Sequence, residues 1–341
     1  MIIRRMLWVS ARGLVRTTSC RQAVRAMETA AEAVGGPGAI MGGLGAIDVA
    51  EEAAAPDRPE YPWKRAKKVA AMLSFSGKNY YGMQRNPGPE INTIERELLA
   101  ALAAAGAVDP AWEEAPQKAF FTRASRTDKG VSAARMTVSL KMLVEPPSIE
   151  AINAFLPADI RLQAVVRATK NFNCQSQADA RTYLYILPTF AFAPCEEVVT
   201  EAWRCRPDTI DRVNAVMKHY VGSFYYHNYT SGKLPMEPSS RRFIHQFEAG
   251  QPFERDGLEW SVVRVRGQSF MLHQIRKMVG LALAIVRGHT GLATLEAAWG
   301  GQRIDIPRAP GLGLLLDTIH YDRSPRPPGH LITWSPDYLV T

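Results

Sequence analysis

The sequence is short of the residues that most metal, redox and membrane proteins display. Its four cysteines, Cys20, Cys174, Cys195 and Cys205, have no C-x-x-C spacing and no histidine partners in a metal-ligand pattern. That excludes a zinc ribbon or a thioredoxin-type dithiol and leaves reduced thiols of a reducing compartment. There is no H-E-x-x-H, so no metal site is expected. The two Ser-Gly-Lys stretches, at Ser76 and Ser231, lack the upstream glycine of a phosphate loop. No apolar run reaches the ~20 residues that span a bilayer, and residues 278–286 are too short and are flanked by Arg276, Lys277 and Arg287. No membrane partner is expected.

Acidic residues are missing locally. Residues 1–27 carry six arginines and no acid, mixed with Ser, Thr and scattered apolar side chains. Without an uninterrupted apolar core, this reads as a mitochondrial targeting segment rather than a secretory signal; a basic tail is the plainer alternative. A start at Met27 would give a nuclear or cytosolic form, helped by the basic cluster at Lys64-Arg65-Ala66-Lys67-Lys68. The net charge of +8 thereby loses most of its force: without those six, 35 basic residues face 33 acidic ones, a body of only +2. Bulk charge does not argue for a nucleic-acid partner; local clusters must.

What is present is a chain long enough, at 341 residues, for two cored units. Residues 28–66, rich in Ala, Gly, Pro and acids, read as a flexible linker. Residues 69–75 read as a buried strand and 76–85 as a loop. A helix opens at Asn92, with Glu95 completing a capping box and Ile94, Leu98 and Leu102 forming a stripe. Strands are expected at 159–168, 181–187, 242–247, 260–265 and 311–321, and helices at 149–155, 208–220 and 269–286. Tyr183 and Tyr185 alternate onto one strand face. The mixture predicts an α+β fold of two subdomains, 67–168 and 169–321, with mixed, mainly antiparallel sheets flanked by helices around a central cleft. Residues 322–341 read as an irregular tail.

Within this frame Arg126-Thr127-Asp128-Lys129-Gly130-Val131 places one carboxylate at a turn between two apolar segments. Asp-Lys-Gly is also ordinary turn chemistry, so the run needs support from elsewhere. On the helix at 269–286, Arg276 lies at the edge of the apolar face. Either it meets a carboxylate, because an uncompensated buried charge costs several kcal/mol, or it snorkels to water.

Three segments together carry a resemblance: Arg126 to Val131, Ala180-Arg181-Thr182-Tyr183-Leu184-Tyr185, and Gly267-Gln268-Ser269-Phe270-Met271-Leu272-His273-Gln274-Ile275-Arg276. They resemble the TruA family of tRNA pseudouridine synthases, most of all its eukaryotic branch. Residues 76–85 and Pro310-Gly311-Leu312-Gly313-Leu314 support the likeness, which spans 67–321. It implies the pseudouridine synthase fold and a cofactor-free isomerisation of uridine to pseudouridine in tRNA, with mRNA or other structured RNA as further partners. By resemblance Asp128 is the essential carboxylate, as nucleophile or as base. Arg276 pairs with it, and Tyr183 stacks on the target base and takes the C5 proton. Arg126 enters the space of the flipped base, while Gln84 and Arg85 of the first loop contact RNA.

Flipping itself costs a few kcal/mol. An arginine beside a carboxylate favours its charged form, as either role of Asp128 requires. Taken alone, Tyr183 reads as a core aromatic, the commoner fate of a tyrosine on such a strand, and Arg126 as a phosphate contact. Phe224 and Tyr225 depart from the family pattern, which has His then Asp or Asn there, and the tail differs from the longer carboxy-terminal extension of the eukaryotic branch. A monomer is expected rather than a homodimer. The rival readings are a non-catalytic RNA-binding protein keeping the fold, and a hydrolase using Asp128 as general base.

Overall fold

A computed structural model describes residues 65–86, 91–143 and 146–322. The targeting segment at 1–27, nearly all of the linker at 28–66 and the tail beyond Asp322 lie outside the described residues.

The described residues build one ten-stranded sheet. Its strands are β1 (Lys67–Phe75), β2 (Thr122–Arg123), β3 (Ser132–Met142), β4 (Ile160–Arg167), β5 (Ala180–Pro188), β6 (Gly222–Tyr225), β7 (Arg241–Ala249), β8 (Phe253–Arg255), β9 (Leu258–Gly267) and β10 (Leu314–His320). They run in the order β4-β1-β3-β10-β5-β9-β7-β6, with β2 added to β3 and β8 to β9. Every pairing is antiparallel except β3 with β10, which is parallel over Ser132↔Leu315 and Ala133↔Leu316. The sheet is thus mixed and mainly antiparallel, as expected, and the strands of the two halves are continuous through β10. That seam joins residues far apart in sequence, which no local pattern encodes.

Among the described residues six α-helices flank the sheet: α1 (Ile94–Ala104), α2 (Ala111–Glu114), α3 (Ile149–Asn153), α4 (Thr209–Lys218), α5 (Gln274–Val286) and α6 (Leu292–Trp299). β1 is buried along nearly its whole length because it is covered on both faces, which is why it reads as an unbroken apolar run. On β5, Tyr183, Tyr185 and Leu187 alternate onto the buried face. Ile275, Met278, Val279, Ala282 and Val286 of α5 are likewise buried. No helix among the described residues is long and apolar enough to cross a membrane.

Two helix starts differ from the sequence expectation. The cap of α1 is Thr93, whose hydroxyl accepts from Arg96 N at 3.4 Å, one residue later than Asn92. Glu95 does not cap; buried at 2% exposure, it pairs with Arg123 at 2.8 Å and accepts from Arg85 N at 3.1 Å. A buried carboxylate takes a guanidinium in preference to a terminal amide. α5 starts at Gln274 rather than Ser269. The apolar period continues through 269–273, but His273 adopts the left-handed region at φ 62°, and Gln274 Oε1 accepts from Met271 N at 2.9 Å. The five residues ahead of the helix are a loop, and that loop lines the cleft.

Candidate active site

Asp128 lies in the loop joining β2 to β3, and its position is fixed from two sides. The turn closes through Val131 N donating to Asp128 O at 3.1 Å, with Gly130 supplying the positive φ of 78°. The first loop, 76–86, packs against it. Met83 N donates to Thr127 O at 3.3 Å and Gly130 N to Tyr80 O at 3.2 Å. At Gly82 the approach is closest: φ is 104°, and a Cβ there would stand 2.5 Å from Thr127 O. The likeness of 76–85 to a family loop thus has a physical reason, since only a glycine lets it touch the backbone that aims Asp128.

The partners come from β5 and α5. Arg276 Nη1 is 3.7 Å from Asp128 Oδ2, with the two side chains only 13% and 19% exposed. Of the two sequence alternatives, the covered ion pair is the one adopted. Its Nε donates to Ala309 O at 2.8 Å, and Ala309 N donates back to Arg276 O at 3.0 Å. Segment 307–309 can lie so close to α5 because a Cβ at Gly280 would meet Pro307 O at 2.1 Å. Burial lowers the Arg276 pKa from its ordinary value, with the nearby Arg308 acting the same way and Asp128 opposing.

Tyr183 is 6% exposed, stands edge-on to Phe270 with ring centroids 5.5 Å apart, and shares a 2.6 Å hydrogen bond with Ser125. Burial raises its phenol pKa, so the hydroxyl is neutral at physiological pH. The loop carrying Asp128 and the loop entering α5 are tied by Arg181. Its guanidinium donates to Ala124 O at 3.0 Å, Gln175 O at 3.0 Å and Gln268 O at 2.9 Å. On the other side of the carboxylate His273 Nε2 lies 3.6 Å from Asp128 Oδ2. The same nitrogen is 2.9 Å from Arg308 Nη1, a donor, so it accepts and the ring proton sits on Nδ1. Burial lowers the His273 pKa against the pull of Asp128.

These groups border one open cavity of about 550 Å³, large enough for a nucleoside. Asp128, Tyr183, Arg276 and Arg126 line it. Arg126 is exposed at its edge. Gln84 and Arg85 stand outside this lining. Arg85 is committed to the α2 end, where it donates to Glu113 O at 2.7 Å and pairs with Glu114. Ser125, Phe270, His273 and Arg181 also belong to the site and were not singled out from sequence. Phe270 and His273 lie inside a motif already marked. Ser125 carries no signal, because its partner lies 58 residues away in sequence. Phe224, one of the departures from the family pattern, stacks on Trp299 with centroids 4.0 Å apart, a packing role.

The family model described as tRNA pseudouridine synthase matches residues 216–322, which include α5 with Arg276 but not Asp128. Full-length relatives extend the likeness. The chain is 44% identical over 283 residues to "Pseudouridylate synthase 1 homolog" of Mus musculus, covering 78% of this chain and 67% of that protein. It is 46% identical over 257 residues to the Homo sapiens protein of the same name, covering 75% and 60%. With "tRNA pseudouridine synthase 1" of Saccharomyces cerevisiae it shares 31% identity over 339 residues, covering 76% and 62%. The chain therefore spans between 60% and 67% of the length of these relatives. Since three quarters of the chain aligns with them at these identities, the chain belongs to the family of tRNA pseudouridine synthases.

Proposed function

We propose that this chain isomerises uridine to pseudouridine in tRNA. The observation that carries the reading is the meeting of Asp128, Tyr183 and Arg276, from three separate segments, at one cavity of nucleoside size. The reaction breaks the bond from N1 of uracil to C1′ of ribose, turns the detached base, and joins C5 to C1′. Asp128 acts at the ribose, as nucleophile on C1′ or as base on a ribose proton, and Arg276 compensates its charge. Tyr183 provides the platform for the turning base, and Arg126 at the edge fills the space the flipped nucleotide leaves in the helix. Phosphate contacts at this edge would position the RNA and weaken as salt rises.

The products distinguish this reaction from its rivals. Nucleoside analysis of digested tRNA after incubation with the protein should show pseudouridine, with the mass of the intact RNA unchanged. A hydrolase would change that mass, and a binding protein would leave uridine untouched; either outcome would overturn the reading.

On the same footing, we read other structured RNA, including mRNA, as further substrates and the monomer as the working form. Residues 1–27 serve as a mitochondrial targeting segment, with a nuclear or cytosolic form starting at Met27. The basis is the arginine-rich, acid-free composition of those residues. Imaging of the two forms separates them: an arm-bearing form that stays out of mitochondria contradicts the assignment.

A further inference from the structure

We infer that Ser125 is a positioning residue that carries a proton away from Tyr183 when C5 of the rejoined base loses its hydrogen. The inference rests on the pseudouridine synthase reading of the cleft.

When C5 of the detached base bonds to C1′, C5 becomes tetrahedral and still holds its hydrogen. Aromaticity returns when that C–H bond breaks, its electron pair closes the ring double bond, and N1 gains a proton. A tyrosine that stacks on the base is well placed to receive the C5 proton, but a buried, neutral phenol already carries one. It can accept a second only while releasing the first. The geometry supplies the recipient. Ser125 Oγ is 2.6 Å from the Tyr183 hydroxyl, a short contact even for O–H···O. Ser125 is half-buried and lines the same cavity, so a proton handed to its hydroxyl can pass on to water in the cleft.

The steps then balance. The C5 proton passes to the Tyr183 oxygen, the phenol proton passes to Ser125 Oγ, and the serine proton passes to water in the cleft. A water returns a proton to N1, and the enzyme ends in its starting state. Asp128 is left to the ribose. Tyr183 is also fixed for this task by its neighbours. Phe270 holds the ring edge-on, while Arg181, the residue two before it, donates to the Ala124 carbonyl next to Ser125. The loop that carries the serine and the strand that carries the tyrosine are therefore tied together.

The test uses the full chain with tRNA carrying deuterium or protium at uridine C5. In Ser125→Ala the rate of pseudouridine formation should fall by about 100-fold, the lower end of what positioned proton transfer contributes, with KM unchanged. C5 deprotonation should become slow enough to show a primary isotope effect larger than that of the wild type. Ser125→Thr, which keeps the hydroxyl, should restore most of the rate. In a Tyr183→Phe background Ser125→Ala should cost nothing further, because the chain of transfer is already cut. Three results would overturn the inference: an unchanged rate in Ser125→Ala, a loss confined to KM, or losses that add in the double variant. The control is Asp128→Asn. If that variant keeps its activity the reading of the whole cleft fails, whereas failure of the serine series alone removes only the relay.

Discussion

Arg276 reaches Asp128 with one nitrogen while another is tied to a backbone carbonyl, so a planar, multiply donating cation is needed. A lysine has the charge but only one nitrogen to place. Arg276→Lys is therefore expected to lower turnover by about 100-fold, the order lost when one preorganised charge-stabilising donor goes, with RNA binding largely retained. Turnover and filter-binding measurements on the same preparation check both halves; equal losses in the two would assign Arg276 to RNA binding instead. At this scale the sequence was most informative about charged residues. Arg276 showed itself at the edge of an apolar stripe, where a cation needs a reason to be. Ser125 and His273 did not show themselves, because their contacts to Tyr183 and Asp128 depend on distant elements coming together. A hydroxyl or an imidazole in a loop has no periodicity to break.

Loops rather than regular elements hold the site, and two of them touch through a glycine. Replacing Gly82 by alanine would put a methyl group 2.5 Å from Thr127 O, on a backbone at φ 104° that side chains rarely adopt. Gly82→Ala should thus cost a few kcal/mol of stability and displace Asp128, lowering activity even at temperatures where the variant stays folded. Thermal melting and turnover at 20–25 °C measure the two effects; an undisturbed turnover would show that the first loop does not aim the carboxylate. The ion pair between α1 and β2 offers a second case. Glu95 is buried and meets Arg123 at 2.8 Å, so Arg123→Ala, which strands the carboxylate, should destabilise by about 3–5 kcal/mol in urea unfolding. Sequence periodicity located α1 and α5 but misplaced the starts of both, and it gave no sign of α2, α6, β6 or β8. At both misplaced starts, a tertiary contact outbid the local signal: Arg123 for Glu95, and the packing of the 269–273 loop for the helix.

At the scale of the whole molecule, the sheet is the frame on which both halves of the site are hung. β10 joins β3 to β5, and so sets Asp128 against Tyr183. That connection was beyond reach of sequence patterning, since it pairs residues near 132 with residues near 315. Four of the histidines in the folded body, His227, His273, His289 and His320, have pKa values lowered chiefly by burial. In the unfolded chain each titrates near its ordinary value of about 6.5 and so binds protons that the folded state refuses. Their contribution to stability is present above that value and is lost as the pH falls through it. Melting temperatures should therefore decline from pH 7 towards pH 5, and His320→Gln should flatten the decline; a profile unchanged by that substitution would assign the acid sensitivity to other groups.

The account turns on Asp128 acting on a uridine in the cleft, and release of tritium from tRNA labelled at uridine C5 reports that reaction directly. The wild-type chain should release label in step with pseudouridine formation, and Asp128→Asn, folded and still binding tRNA, should release none above background. Equal release by the two proteins would contradict the account.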